Sequence, residues 1–210
     1  MGKKRTPSSK RWLAEHEADH YVHEARRLGY RSRAVFKLKE LNERDRLLRP
    51  GITVVDLGAA PGSWSQFARP LLGPGGRLIA LDVLPMDPIP GVDFIEGDFR
   101  EETVLKALES KLQGSHVVDL VMSDMAPNIT GVDTADQVAS IHLAELALEF
   151  ARTQLKPSGT FVTKLFQGEG FEAFVQEVRK LFTSVQLRKP KASRPRSREI
   201  YLVARNFRVV

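Results

Sequence analysis

The stretch Thr53-Val54-Val55-Asp56-Leu57-Gly58-Ala59-Ala60-Pro61-Gly62 decides how the rest of the chain is read. Its β-branched residues form a stiff run with no polar face, the pattern of a strand covered on both sides in a parallel sheet. The run empties into Gly58 and Gly62, with only small residues between them. A backbone can turn sharply there and come close to a ligand, so the stretch predicts a cofactor-binding edge.

Two cofactor classes use such an edge. A dinucleotide site wants G-x-G-x-x-G and rests its pyrophosphate on the following helix N-terminus. Here Gly58 and Gly62 enclose three residues, and the strand carries Asp56, whose carboxylate would repel a pyrophosphate. A cofactor with a cationic end suits this edge better. S-adenosylmethionine has an ammonium and a sulfonium and no phosphate.

Outward from this edge, strand and helix patterns alternate. Helices are predicted over 64–72, 101–112, 136–155 and 171–182, and strands over 77–83, 92–95, 117–122, 160–166, 185–188 and 199–204. Upstream, residues 14–28 have helical composition. After Gly29 and Tyr30, Val35, Leu38 and Leu41 recur at the spacing of a buried helical stripe, with Ser32 as its expected N-cap. Alternation of this kind predicts an α/β, Rossmann-like fold, a mostly parallel sheet with helices on both faces and ligands at the strands' C-terminal ends. Asp56, Asp82, Asp98 and Asp124 all fall at such ends. Asp82 lies 20 residues past Gly62, where an acid accepts the two hydroxyls of a ribose, and Asp98 is placed to accept from an adenine amine. No second domain is expected: residues 1–30 read as a basic, partly flexible extension and 31–210 as one domain.

Composition narrows the function classes. The chain has 210 residues, 42% of them hydrophobic, which is enough for one sizeable core. It has no cysteine, so disulfides, thiolate catalysis and Cys-based metal sites are excluded. No apolar run is long enough to span a membrane and no secretory signal opens the chain, so a cytoplasmic protein is expected. His16-Glu17-Ala18-Asp19-His20 matches H-E-x-x-H, but it lies among charges near a chain end rather than in an apolar core, and no metal is expected. The net charge of +6 is unevenly spread. Residues 1–50 carry 14 basic against 7 acidic residues and residues 187–198 carry six against none, so the remainder of the chain is acidic by seven charges. Arg31, Arg33, Arg188, Lys189, Lys191, Arg194, Arg196 and Arg198 are therefore the expected contacts to RNA phosphates.

Lys164 is the odd residue, an ammonium inside the apolar run Thr160–Phe166. Burying it costs several kcal/mol unless it is paired or neutral. It is either one half of a salt bridge with Asp124 on the neighbouring strand or a lysine poised to take a proton from an alcohol.

Five stretches, taken together, carry a resemblance: Ser32–Leu38, Asp56–Gln66, Ser123–Asn128, Lys164–Gly168 and Ser193–Glu199. In order and over nearly the whole chain they are similar to the FtsJ/RlmE family of RNA ribose 2′-O-methyltransferases. Ser63 stands where that family often has glycine. The resemblance implies a catalytic tetrad of Lys37, Asp124, Lys164 and Glu199, with Lys164 as the base and Lys37 steadying the developing oxyanion. It implies an S-adenosylmethionine site that includes Asp56 and Gly58, with Gly62 and Trp64 near the methionine part by backbone and packing, Asp82 at the ribose, Asp98 at the adenine and Asp124 near the methyl group. It further implies ribosomal RNA or the large ribosomal subunit as partner, a uridine in the A-loop of 23S RNA as target, no role for DNA, and a monomeric enzyme. The competing expectations are an NAD-dependent oxidoreductase and a non-catalytic RNA-binding ribosome assembly factor.

Overall fold

The computed structural model describes residues 19–127, 133–194 and 197–208. In chain order the elements are α1 (His20–Arg27), α2 (Val35–Asp45), β1 (Thr53–Leu57), α3 (Ser63–Leu72), β2 (Arg77–Asp82), β3 (Asp93–Glu96), α4 (Glu102–Leu112), β4 (Val118–Ser123), α5 (Asp133–Gln154), β5 (Leu155–Phe166), α6 (Phe171–Leu181), β6 (Phe182–Arg188) and β7 (Glu199–Phe207). The strands form one sheet in the order β3-β2-β1-β4-β5-β7-β6. All neighbours are parallel except β7, which runs against both β5 and β6. The expected α/β architecture is thus present, with one strand reversed near an edge.

The β1 run explains the layering. Val54 joins Leu38, Leu41, Trp64 and Leu72 in the core under α2 and α3. Val55 and Leu57 join the opposite core, which is filled by α4, α5 and α6. The period-two alternation of a strand thus feeds two apolar layers, as a doubly covered sheet requires. Each such side chain contributes about 1.5–3 kcal/mol when fully buried. Among the described residues no helix is long and apolar enough to cross a membrane.

Several boundaries differ from expectation, each for a local reason. Within the described residues the first helix starts at His20, because Asp19 caps it by accepting from the Tyr21 N–H at 3.0 Å. Ser32 does not cap α2. Its hydroxyl accepts from the Ala34 N–H and donates to the Ser63 hydroxyl at 2.9 Å, so it staples the entry of α2 to the start of α3, and α2 begins at Val35. Lys156-Pro157-Ser158-Gly159, between the helix predicted over 136–155 and the strand predicted over 160–166, is an irregularity inside β5: pairing with β4 jumps from Val118–Leu155 to Leu120–Thr160. Residues 19–30 pack on the body, with Val22 and Ala25 buried, Tyr21 against Phe36, and Asp19 paired with Arg33. The rest of the basic extension, including His16-Glu17-Ala18, lies outside the described residues.

Candidate active site

Parallel pairing aligns the strand ends. Leu57 pairs with Leu81 on one side and Ser123 on the other, and Ser123 pairs with Thr163. Asp56, Asp82, Asp124 and Lys164 are therefore delivered to one rim of the sheet. The loops are laced to it by backbone: Gly58 and Ala59 N–H donate to Leu81, and Asp124 N–H donates to Leu57. Gly58 has φ 77°, and a Cβ there would stand 2.8–2.9 Å from the Met125 backbone, so only glycine permits this approach.

Lys164 is only 7% exposed and does form the salt bridge across to β4. Its Nζ donates to the Asp124 backbone oxygen at 2.5 Å and to Asp124 Oδ1 at 2.9 Å. Directly opposite Lys164 on β7 stands Tyr201, whose hydroxyl donates to the same Oδ1 at 2.6 Å. Lys37 reaches in from α2, donates to Glu199 Oε2 at 2.8 Å, and lies 5.8 Å from the centre of the Tyr201 ring. The Ser193 hydroxyl donates to the other oxygen of Glu199 at 2.7 Å. Two lysine–acid pairs from four elements are thus gathered around one buried tyrosine. Tyr201 and Ser193 were missed from sequence. The available signal was the two-residue spacing of Glu199 and Tyr201, which puts both on one face of a strand.

Electrostatics tie the cluster together. Burial pushes the Asp124 carboxyl up, but the charges of Lys164 and Lys37 and the hydrogen bonds from Tyr201 and Lys164 outweigh it and hold it below the usual carboxylate range. Burial, with the Asp124 and Glu199 charges, raises Tyr201 well above the ordinary phenol value, so it stays a donor.

The cofactor side contains one orphan. Asp56 is fully buried; Oδ2 accepts from Ser65 at 2.7 Å, while Oδ1 has no partner among the described residues. Burial raises its carboxyl to about 7, helped by the Asp124 and Asp82 charges against the Ser65 hydrogen bonds. Asp56 therefore lies beneath the loop rather than lining the cleft, a correction to the sequence reading. Asp82 accepts from Ala60 N–H at 2.8 Å and Leu84 N–H at 2.9 Å, which fixes the glycine loop to the end of β2. Asp98 holds Arg100 through both carboxylate oxygens, and that hydrogen bonding lowers its carboxyl. Gly62, at φ 102°, opens α3. Three acids at adjacent strand ends, one with an unpartnered buried oxygen, fit a cation-bearing cofactor without phosphates.

Other expectations are corrected. Trp64 is 2% exposed, donates to the Ala34 carbonyl and packs on Tyr201; it joins α3 to α2 and leaves no face for a cofactor. Arg31 gives its guanidinium to the carbonyls of Pro61, Asp87 and Pro88, so it clamps the glycine loop to the segment after β2. Arg33 bonds Asp19 and the Ala192 carbonyl, and Arg188 grips Asp45 with two bonds of 2.9 Å. Lys189 donates to the carbonyls of Ser197 and Glu199. Arg31, Arg33 and Arg188 are thereby held partly buried as braces within the protein, while Lys189 stays exposed. Lys191 is exposed and Arg194 partly so; Arg198 sits beside Glu199, and Arg196 lies outside the described residues.

The comparisons with known proteins agree with this geometry. Over 205 residues the chain is 60% identical to the ribosomal RNA large subunit methyltransferase E of Azoarcus sp. (strain BH72), covering 98% of this chain and all of that protein. A crystal structure of a Plasmodium falciparum protein assigned as a ribosomal RNA methyltransferase matches with a TM-score of 0.76 at 31% identity, over 85% of this chain and 98% of that one. One from Clostridium thermocellum, assigned as an rRNA methylase, matches at 0.56 and 19% over 80% and 96%, a likeness of fold alone. The model of the FtsJ-like methyltransferases matches residues 30–207, from the Arg31 clamp through the whole of β7. The chain belongs to the FtsJ-like methyltransferase family.

Proposed function

We propose that this methyltransferase acts on a ribose 2′-hydroxyl of large-subunit ribosomal RNA, with S-adenosylmethionine as donor. The observation that carries the reading is the Lys164–Asp124–Tyr201 cluster at the rim where the cofactor loop also ends. A ribose hydroxyl is a poor nucleophile, so the enzyme must position it and take its proton. Asp124 engages two N–H groups of Lys164, one through its backbone oxygen and one through its side chain. For the transfer Lys164 must be the neutral amine: with two N–H groups given to Asp124, the lone pair on Nζ takes the hydroxyl proton and the lysine leaves the step as an ammonium paired with Asp124. Lys37, held by Glu199, supplies positive charge beside the oxygen as it becomes anionic. Tyr201 keeps Asp124 turned toward Lys164.

When bound, S-adenosylmethionine supplies an electrophilic methyl group carried on a sulfonium. Gly58 and Gly62 let the loop close on Met125, Met86 and Arg31, so that its backbone would face the methionine part; Asp82 would take the ribose hydroxyls, Asp98 the adenine amine, and the Asp56 and Asp124 charges would favour its cationic end. RNA is preferred to DNA because only ribose carries the hydroxyl this chemistry needs. The rRNA substrate follows the name of the Azoarcus relative, and a uridine in the A-loop is the specific target we favour. Lys191, Arg194, Arg196 and Arg198 are the proposed phosphate contacts. A ribosomal substrate places the enzyme in the cytoplasm, where we expect it to act as a monomer.

The test is transfer of labelled methyl to large subunits from cells lacking the chain, with mass mapping of the modified ribose. The wild type should restore one ribose methyl, and Lys164→Ala should lose transfer by about 10²–10⁴-fold while still binding the donor in calorimetry. Substantial activity in Lys164→Ala would overturn the assignment of the base. Binding of NAD in place of S-adenosylmethionine would overturn the reading as a whole.

A further inference from the structure

The sheet has a second rim. Asp119 precedes Asp124 by five residues on β4, so it lies about 17 Å away at the strand's other end. There the chain encloses a cavity of about 160 Å³ lined by Asp45, Arg46, Arg49, Asp119, Lys156 and Arg205, together with Ser158 and Thr160. No step proposed above uses it.

Its charges do not cancel. Asp45 serves two cations, Arg188 through two bonds of 2.9 Å and Arg205 at 3.5 Å. Those partners hold its carboxyl below the usual range against the pull of burial. Asp119 is shared as well: Lys156 lies at 2.8 Å, Arg49 at 3.8 Å, and the Thr53 N–H takes part of the same carboxylate. Arg46 adds a further cation that forms no ion pair among the described residues, on a backbone turned left-handed at φ 47°. Four cations and two acids line the cavity, and both acids are already occupied. A metal or an amine would be repelled. An anion would meet guanidinium groups, an ammonium and two hydroxyls inside a concave surface, where the field is concentrated.

We propose that this cavity binds a phosphate group, supplied either by the backbone of the RNA substrate at a point remote from the methylated ribose or by a free phosphoryl compound. The first source rests on the substrate proposed above; the second does not.

The experiment uses the full chain and the double variant Arg46→Gln/Arg49→Gln, which loses only the long Arg49–Asp119 contact. Fluorescence anisotropy with a labelled large-subunit RNA fragment is followed against salt, and thermal unfolding is followed with inorganic phosphate against chloride at equal ionic strength. If RNA is the source, the variant binds RNA several-fold more weakly and the slope of log affinity against log salt falls by about one to two. If a free phosphoryl compound is the source, phosphate raises the Tm of the wild type but not of the variant, and the RNA slope is unchanged. Equal slopes together with equal phosphate responses in the two proteins would overturn the proposal. Calorimetric binding of S-adenosylmethionine, expected to be the same in both, separates a failure at this cavity from a failure of the methyltransferase reading. Should the wild type bind no RNA, the phosphate arm alone decides.

Discussion

Asp56 and Asp124 end adjacent strands, are both enclosed by protein, and are driven in opposite directions. Leu57 and Ser123, next to them, are paired across β1 and β4. Among the described residues Asp56 has Ser65 as partner and no cation, and its carboxyl rises to about 7. Asp124 has Lys164, Tyr201 and the nearby Lys37, and its carboxyl falls below the usual range despite burial. Burial sets the direction by default, and a buried cation reverses it. One carboxylate can answer to an arriving positive charge, while the other is already committed to positioning a lysine.

The strongest way to break this contrast is Lys164→Met, which leaves Asp124 with only the nearby Lys37 as cation. Turnover should drop by about 10²–10⁴-fold, and removing one partner of a buried pair should cost about 3–5 kcal/mol, read by urea unfolding. Lys37→Ala removes the more distant cation and strips Glu199 of its partner; a fall in kcat of about 10–100-fold is expected with KM for the donor little changed. Tyr201→Phe deletes one hydrogen bond to a carboxylate, worth about 1.5–3 kcal/mol, and should lower kcat about tenfold with the cluster otherwise intact. A wild-type rate in this variant would show that Lys164 alone orients Asp124.

The smallest expected effect sharpens the contrast from the other side, through pH. Because the Asp56 carboxyl is raised on folding, the stability it confers is present below about pH 4 and is lost as pH rises toward about 7, at no more than about 1.4 kcal/mol per pH unit. Asp124 has the opposite sign: its contribution is present above about pH 4 and is lost as pH falls through its lowered value. Urea unfolding of wild type and Asp56→Asn at several pH values should show the wild type losing stability relative to the variant between pH 4 and 7. Parallel curves would mean that Asp56 is no more protonated than its unfolded counterpart.

Much of this arrangement could be read in the sequence because it is local. A β-branched run that stops at glycine, acids at strand ends and a lysine amid apolar residues each announce themselves within ten positions. What stayed hidden depends on partners far along the chain. Tyr201 looks like any aromatic residue in a strand until it is placed opposite Lys164. Arg188 reads as a free cation because Asp45, which holds it, lies 143 residues away. Net charge in a segment counts cations but does not say which are already bound. Trp64 misled for a similar reason: its neighbours Ala34 and Tyr201 come from helix and strand on either side in sequence, and they leave it no open face.

The reversal of β7 has a consequence of its own. Since it runs against its neighbours, its first residue sits beside the last residues of β5, and Phe166 pairs with Glu199. Had the final strand followed the direction of the rest, its opening residue would have landed at the far rim and Arg205 would have come up beside Lys164. Inverting a single strand therefore puts its acid beside the two lysines of one rim and its arginine beside the two acids of the other.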